Sequence, residues 1–586
     1  MKEVLSGNEA IARGAFEAGC KVAMAYPGTP STEILQTIAD NYKESIYCAW
    51  GSNEKTAFET ALGSSIAGVR SLVAMKHVGL NVAADPLFTA AYTGVGKGFI
   101  IITADDPSNH SSQNEQDNRW YGIHSKVPVL EPSDSQECID FVKYGFELSE
   151  KFDVPVIIRL TTRVSHSKSI CNLSNPLKVE ANFDYKKNVR KYIMVPSHSN
   201  PQHVILEKKL QEISKWNGDS IFTKEEILDT EIGIVTSGLT YQYVKEVFPN
   251  YSILKLGLVY PVSIEKIKKF RDKVKKLYFI EELEPILEFQ ARMADIKIDL
   301  GKNKIPNYHE FSVERLKSIF FENIDFEDKE QKYNFNLPPR PPVLCAGCPH
   351  RATFYNLGKK GYIVHGDIGC YTLGFADPLN GMDTTICMGA SITMGNGFSI
   401  VNKLSSDKKK VISIIGESTF MHSGLTGTVD AAYNNLSNTI IVLDNSVTAM
   451  TGHQDNPMTG KTLMGENAPI FDIKKFAEAA NIKKIDFVDG YYVKKIEELI
   501  EEHVNFDGPS MIVVKKPCVL KKGVKTNPPL KINQEKCKKC KICLKIGCPA
   551  ISLTKEGNIV IDETMCAGCT VCYQVCSFHA IEHTKN

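Results

Sequence analysis

Val411-Ile-Ser-Ile-Ile-Gly416-Glu417-Ser418 and Thr439-Ile-Ile-Val-Leu-Asp444-Asn445-Ser446 bracket the segment that decides the fold class. Each begins with a short apolar run and closes on small or polar residues, and Gly424–Asn434 between them reads as a helix. Runs that are apolar throughout belong to strands covered on both faces, and a strand–helix–strand order makes the strands parallel neighbours. Ligands of such sheets sit at the carboxyl ends of the strands. Glu417 and Asn445 occupy two such ends, so their side chains can converge above the sheet edge. A carboxylate and an amide oxygen beside a free backbone carbonyl suit an octahedral Mg²⁺ carrying phosphates. The neighbouring glycines would let a diphosphate approach the backbone and a helix N-terminus. A plain strand-end turn fits the same spacing.

The alternation extends outward. Tyr362–His365 reads as a strand ending in Gly366-Asp367-Ile368-Gly369-Cys370, and Thr384–Met388 leads into Gly389-Ala390-Ser391 and a helix. At the front, Asn8–Ala18 reads as a helix and Lys21–Tyr26 as a strand closed by Pro27-Gly28-Thr29-Pro30. Asn53–Ala67 reads as a helix, and Ser71–Met75 and Gly98–Thr103 as strands. Tyr26–Ser31 and Asn53-Glu54 thus also stand at ligand-binding ends of a parallel sheet. Taken alone, Glu54 in the first turn of a helix also fits simple dipole complementarity. Residues 176–231 carry many charges and few motifs.

A length of 586 residues corresponds to about three to five domains. The net charge of +1 gives no global bias toward nucleic acid or an anionic membrane. No apolar run approaches the ~18–20 residues that span a bilayer, and MKEVLSGNEA lacks the regions of a signal peptide. The expectation is a soluble, cytoplasmic protein with neither a nucleic-acid nor a membrane partner.

Eight of the 17 cysteines lie in the last 50 residues. Cys537-Lys-Lys-Cys540-Lys-Ile-Cys543 is followed after four residues by Cys548-Pro549. Cys566-Ala-Gly-Cys569-Thr-Val-Cys572 is followed after three residues by Cys576. A large chain without an export signal holds reduced thiols or metal ligands rather than a disulfide scaffold. Zinc usually takes paired ligands and fits this pattern poorly. The runs resemble the bacterial two-cluster ferredoxin, in which the trailing cysteine ligates the other cluster. The resemblance implies one [4Fe-4S] cluster on Cys537, Cys540, Cys543 and Cys576 and another on Cys566, Cys569, Cys572 and Cys548. The four-residue gap before Cys548 and Ser577 in place of proline depart from that pattern. So short a segment buries little core, so bound clusters would hold it folded. Pro517, Lys521, Lys522, Lys525, Pro528 and Pro529 read as a basic linker before it. Cys345 and Cys348 have no second pair at a metal spacing, and no metal is assigned to them.

Together the motifs resemble the thiamine-diphosphate enzymes, with Glu417 in the aspartate position of their magnesium motif, Asn445 in the asparagine position and the Val447 carbonyl as third ligand. More specifically they resemble the 2-oxo-acid:ferredoxin oxidoreductases. Tyr26-Pro-Gly-Thr-Pro-Ser31 is similar to that family's substrate loop, and Cys345-Ala-Gly-Cys348-Pro-His350-Arg351 to its CPGCGH segment. Gly233–Thr240 and Leu254–Pro261 resemble its transketolase-C-like domain. Asn53-Glu54-Lys55, Met75–Pro86, His422-Ser-Gly and Thr448–Gln454 resemble the branch of large (alpha) subunits that use indolepyruvate.

The resemblance implies an α/β fold with two doubly wound parallel-sheet thiamine domains, at 1–180 (pyrimidine type) and 336–525 (pyrophosphate type, with the Mg site). A transketolase-C-like α/β domain at 181–335 would lie between them, and a two-cluster ferredoxin-like α+β domain would occupy 526–586. Glu54 would act on the aminopyrimidine, and Gly366, Asp367, Gly369, Cys370, Gly416, Glu417, Ser418 and Asn445 would join it in holding the cofactor. Thr29, with His77 or His350, would meet the substrate carboxylate. The implied reaction is oxidative decarboxylation of indolepyruvate, phenylpyruvate or hydroxyphenylpyruvate to the aryl-acetyl-CoA and CO₂, with ferredoxin as acceptor. An aliphatic 2-oxo acid such as pyruvate is the alternative substrate. Two readings lie further off: a nonoxidative thiamine enzyme, and an electron-transfer module with degenerate thiamine sites. The implied cofactors are thiamine diphosphate, Mg²⁺ and two [4Fe-4S] clusters, with coenzyme A as co-substrate. The implied partner is a smaller beta subunit carrying the family's gamma-type domain, in a dimer of heterodimers.

Overall fold

Strand Phe99–Asp105 is buried along its whole length, as are Val156–Thr161, Val411–Gly416 and Thr439–Asp444. Strands of this kind need cover on both faces, and the helices between them supply it. The computed structural model describes residues 1–321 and 341–584 and divides into two units, Met1–Asn336 and Leu337–Asn586. The expected boundary between residues 335 and 336 lies outside the described residues.

The first unit carries a seven-stranded sheet in the order Leu258–Tyr260, Val129–Leu130, Val156–Thr161, Phe99–Asp105, Ser71–Lys76, Val22–Ala25, Tyr47–Trp50. All neighbours are parallel except the outermost Leu258–Tyr260, which runs antiparallel to Val129–Leu130. That edge strand comes from the segment expected to form the next domain, so the two segments share a sheet. A second sheet, in the order Lys276–Phe279, Asp229–Thr236, Tyr251–Leu256, Thr223–Glu226, follows it in the same unit. The charged stretch 176–231 contains the 22-residue helix Pro196–Asn217.

Buried charge joins the two segments of this unit. Arg119 and Arg159 are each 1% exposed. Arg119 pairs with Asp117 at 2.6 Å and Glu281 at 3.3 Å, and donates to the Glu282 carbonyl at 2.7 Å. Arg159 pairs with Asp105 at 2.8 Å and Glu131 at 2.5 Å, and Ser237 donates to the other oxygen of Glu131 at 2.5 Å. Burial pushes the carboxyls of Asp105, Glu281 and Glu282 up to about 7 against the pull of the guanidiniums.

The second unit carries a five-stranded, fully parallel sheet in the order Ile363–His365, Val411–Gly416, Thr439–Asp444, Ser510–Lys515, Lys484–Asp489. Beyond it the tail forms two small antiparallel ladders, Leu530–Ile532 with Ile581–His583 and Ile551–Leu553 with Ile559–Ile561. Tail residues Leu530, Ile546, Ile551, Ile559, Val571 and Ile581 share a core with Phe354, Ile412 and Ile441 of the sheet domain. The stretch read as a linker is pinned by backbone bonds: Cys518 donates to the Asn445 carbonyl at 2.8 Å and Asn527 to the Ala567 carbonyl at 3.2 Å. Lys521 adds a bond from its ammonium to the Ser446 carbonyl at 2.7 Å. Among the described residues no helix is long and apolar enough to cross a membrane.

Removing one partner of a buried ion network leaves uncompensated charge, at a cost of about 3–5 kcal/mol. Arg119→Met is therefore expected to lower the melting temperature by several degrees, with Arg119→Lys intermediate. Thermal unfolding followed by circular dichroism checks this, and an unshifted transition would contradict the role given to the network.

Candidate functional site

The helix Glu54–Ala67 starts where it does because Asn53 caps it: its side chain accepts from the Thr56 amide at 2.8 Å, and Thr56 Oγ1 accepts from the Asn53 amide at 3.2 Å. This fixes Glu54 at the first helical position, 5% exposed. Its carboxylate lies against Gly79, where an added Cβ would stand 2.7 Å from Glu54 Oε1. Gly79 belongs to the short helix His77–Val82, which follows strand Ser71–Lys76. The same connection reaches the Thr29 loop, because a Cβ on Gly28 would stand 2.9 Å from the Lys76 Cβ. One chain segment thus touches both the buried carboxylate and the loop carrying Thr29, which is itself half-buried.

Lys76 was not singled out by sequence. Its ammonium donates to the Ser111 carbonyl at 2.5 Å, and burial draws it down to about 8 although Asp106 opposes the shift. His77 is fully buried and bonds the Asn114 carbonyl at 3.2 Å through Nε2. Burial first and the Lys76 charge second push its imidazole down to about 4, so it is neutral near pH 7.

In the second unit Glu417 and Asn445 converge. Glu417 Oε1 and Asn445 Oδ1 accept from one donor, the Val447 amide, at 3.0 and 3.1 Å. Glu417 also accepts from Asn456 at 3.2 Å and from the Asn445 amide at 3.4 Å. It is 2% exposed and faces these neutral donors, with the Asp444 carboxylate close by. Burial and then Asp444 push its carboxyl up to about 8. A buried carboxylate and an amide oxygen, brought together on the Val447 amide, form a pair of oxygen donors with no cationic side chain bound to either among the described residues. Positive charge is what a divalent cation with phosphate ligands supplies, so the residues fit Mg²⁺. Ser418 lies beside them, its hydroxyl accepting from Thr448 at 2.9 Å.

The loop 366–370 packs at the same edge. Asp367 directs its carboxylate at the backbone, accepting from the amides of Ile368 at 2.8 Å, Gly389 at 2.9 Å and Ser391 at 3.0 Å. It braces the start of helix Ala390–Leu404. Side chains at Gly366, Gly369 or Gly416 would collide with Met382 or Tyr371, so these glycines keep the backbone at the strand ends closely packed. Cys370 lies within electrostatic reach of Cys518, Glu417 and Cys345, and burial first and these neighbours next push its thiol up to about 12. Cys348 interacts with Cys370 and Cys345 in the same way. Four thiols 3 to 173 residues apart in sequence therefore share one region, which spacing alone did not disclose.

The segment 344–351 links this edge to the tail. His350 Nε2 lies 3.3 Å from Asn445 Nδ2, and burial holds its imidazole down at about 4. Arg351, 1% exposed, donates to the carbonyls of Leu344 at 2.6 Å and Cys345 at 2.8 Å on its own loop. It also donates to the tail carbonyls of Ile546 at 2.9 Å and Gly547 at 2.6 Å. The tail holds two cavities. One is lined by Cys537, Cys540, Cys543 and Cys576 among other tail residues. The other is lined by Cys548, Cys566, Cys569 and Cys572 together with Ala346 and Gly347. Each run of three cysteines thus shares a cavity with the trailing cysteine of the other run. Amides point at the sulfurs: Leu530 to Cys566 and Ala580 to Cys576, each at 3.4 Å. Among the described residues no three His, Cys, Asp or Glu side chains gather tightly enough for a single metal ion. Four thiols around an apolar hollow, with amides donating to sulfur, suit a polynuclear iron–sulfur group.

Two family models match the chain. Residues 13–214 match "Pyruvate flavodoxin/ferredoxin oxidoreductase, thiamine diP-binding". Residues 367–514 match "Thiamine pyrophosphate enzyme, C-terminal TPP binding domain". The chain is 38% identical to the indolepyruvate oxidoreductase subunit IorA of Archaeoglobus fulgidus, covering 100% of this chain and 98% of that protein. It is 40% identical to IorA of Pyrococcus horikoshii (100% and 97% covered) and 41% identical to IorA of Thermococcus kodakarensis (99% and 97% covered). A solved 2-oxoglutarate:ferredoxin oxidoreductase from Magnetococcus marinus aligns over 54% of this chain and 65% of that one, with 19% identity and a TM-score of 0.45. On identity and full-length coverage, the chain belongs to the indolepyruvate oxidoreductase IorA subunits, within the thiamine-dependent 2-oxoacid:ferredoxin oxidoreductases.

Proposed function

We propose that this chain is the large subunit of a cytoplasmic oxidoreductase that decarboxylates aryl 2-oxo acids. Its substrates are indolepyruvate, phenylpyruvate and hydroxyphenylpyruvate, and its products the aryl-acetyl-CoA, CO₂ and reduced ferredoxin. The observation that carries the reading is the segment 344–351. His350 on it meets Asn445 of the candidate metal site, Ala346 and Gly347 wall one cysteine cavity, and Arg351 clasps the tail. A place for thiamine chemistry and a place for one-electron carriers thus share one short piece of backbone. The aryl preference rests on the names of the full-length relatives.

Thiamine diphosphate, when bound, supplies the nucleophile and the electron sink that decarboxylation needs. In this chain Glu417, Asn445 and the Val447 backbone would hold Mg²⁺, with Gly416 and Ser418 beside them. Gly366, Gly369 and Cys370 would line the approach of the diphosphate, with Asp367 ordering that loop through the amides it holds. Glu54 would accept a hydrogen bond from the aminopyrimidine and hold the proton that sets its tautomer. Thr29, with His77 or His350 as neutral donors, would orient the substrate carboxylate, and Lys76 adds a cation at the same loop. The two cysteine groups would each hold a [4Fe-4S] cluster, so that two electrons leave one at a time. A smaller subunit with the gamma-type domain would complete the enzyme as a dimer of heterodimers.

The test is an anaerobic assay of the chain co-expressed with its small subunit, supplied with coenzyme A, thiamine diphosphate, Mg²⁺ and a viologen dye. Indolepyruvate and phenylpyruvate are expected to reduce the dye with kcat/KM at least about tenfold above pyruvate, a difference of ~1.4 kcal/mol. Aldehyde release without dye reduction, or a preference for pyruvate, would overturn the reading. Glu54→Gln is expected to retain cofactor binding and lose turnover. Gly79→Ala, which displaces the Glu54 carboxylate, is expected to lower turnover at least about tenfold, again ~1.4 kcal/mol. Gly63→Ala meets nothing within 4 Å on the same helix, so it should leave turnover intact and add about 0.5–1 kcal/mol of stability. Equal activity of the two alanine variants would remove Glu54 from the mechanism. Cys548→Ala and Cys576→Ala are each expected to lose the iron of one cluster, read by metal analysis. An iron content unchanged by either substitution would contradict the assignment of these cysteines as ligands.

A further inference from the structure

The two cysteine cavities differ in what surrounds them. The cavity of Cys548, Cys566, Cys569 and Cys572 is walled on one side by Ala346 and Gly347, so it faces the sheet domain of its own unit. Gly347 packs so closely there that a Cβ on it would stand 2.6 Å from the Ala567 Cβ. Tyr491 donates to the Gly347 carbonyl at 2.8 Å, and Gln574 of the tail donates to the Tyr491 carbonyl at 2.7 Å. The cavity of Cys537, Cys540, Cys543 and Cys576 is lined by tail residues alone. Cys540 is exposed, and Phe578 on the same wall is 44% exposed. One cavity is therefore inner and the other outer.

Between their cysteines the two runs of three differ in charge. Lys538, Lys539 and Lys541 surround Cys540, and all three are exposed. Among the described residues no carboxylate pairs with any of them, whereas nearby Lys536 pairs with Glu582 at 2.7 Å. Around the inner run the exposed charges just ahead of Cys566 are Asp562 and Glu563. A lysine run is ordinarily a solvated face. Here Lys538 lines one cavity with the exposed Cys540 and Phe578, while Lys539 and Lys541 flank Cys540 in the chain; unneutralised charge beside an apolar centre is the make-up of an electrostatically steered docking surface.

Resting on the reading above, we propose that the face of Lys538, Lys539, Lys541 and Phe578 is where an acidic one-electron carrier protein docks, a small iron–sulfur protein of the ferredoxin class. Electrons enter the tail at the inner group, beside residues 346–347, and leave at the outer one. Each transfer oxidises the outer group by one electron and reduces the carrier by one. One 2-oxo acid, which gives up two electrons, therefore serves two such transfers. The lysines concentrate the acidic partner at the surface, and Phe578 fixes its register.

The test uses the full chain with its small subunit, carrying Lys538→Glu, Lys539→Glu and Lys541→Glu together, with the triple Lys→Gln chain as a milder form. The probes are a purified acidic two-cluster ferredoxin and, in parallel, methyl viologen. Expected is retained viologen-linked turnover, with kcat/KM for ferredoxin reduced at least about tenfold at low salt. The salt dependence of the ferredoxin rate should flatten, since screening then has no attraction to weaken. Ferredoxin affinity, read by calorimetry without substrate, should fall in parallel, and the Lys→Gln chain should lie between. Asp562→Lys with Glu563→Lys should leave ferredoxin affinity unreduced. An unchanged ferredoxin affinity in the Lys→Glu chain would overturn the proposal, and so would an equal loss of turnover with ferredoxin and viologen. A wild-type enzyme that reduced no viologen with indolepyruvate would count against the functional reading, while calorimetry would still judge the docking face.

Discussion

The Arg351 guanidinium holds the second unit to its purpose. It is 1% exposed and donates to four backbone carbonyls, two on the loop of Leu344 and Cys345 and two on the tail at Ile546 and Gly547. Bonds from a charged donor are among the stronger ones inside a protein, and each buried carbonyl left without its donor costs about 1–3 kcal/mol. The tail is small and its cores are slight, so it depends on such fastening, on the Tyr491–Gln574 link and on the apolar residues it shares with the parallel sheet. With the tail held there, the inner cysteine group faces the 346–347 loop and the outer one faces solvent.

A parallel sheet explains why the chemistry collects where it does. Its strands are buried on both faces, so a bound ligand meets them at their carboxyl ends. Glu417 and Asn445 occupy neighbouring ends, and both accept from the Val447 amide. The first unit repeats the arrangement with different parts. There an Asn53 cap fixes Glu54, and the Lys76–Gly79 segment touches both Glu54 and the Thr29 loop. Neutral histidines at 77 and 350, both pressed down to about 4 by burial, sit at each.

Much of this was legible in the sequence because it is local. Continuous apolar runs gave six of the strands to within a residue or two, though the comparably buried Val156–Thr161 and Ser510–Lys515 were not read, and strand-end residues pointed to Glu417 and Asn445. The crossed sharing of Cys548 and Cys576 came only through resemblance, since spacing cannot tell which cavity a trailing cysteine enters. Other features depend on contacts distant in sequence. Cys370 and Cys518 come within electrostatic reach of Cys345 through the fold and not through sequence spacing. Asp367 reads as a ligand in its glycine-rich setting, yet three amides occupy its carboxylate. Lys76 looks like an ordinary surface lysine until Gly28 is seen packed against it. The 517–529 stretch has a linker's composition, but backbone bonds at Cys518 and Asn527 hold it down.

The central claim is that electrons taken from a 2-oxo acid pass into the cysteine groups of the tail. The most direct measurement is a single-turnover experiment without external acceptor. The complete enzyme is mixed anaerobically with indolepyruvate and coenzyme A, frozen, and examined by electron paramagnetic resonance. The account predicts reduced-cluster signals that grow with time in the native chain and are absent from Glu54→Gln. They should persist, confined to the inner group, when Cys576→Ala removes the outer one. Substrate consumed with no cluster signal in the native chain would contradict it.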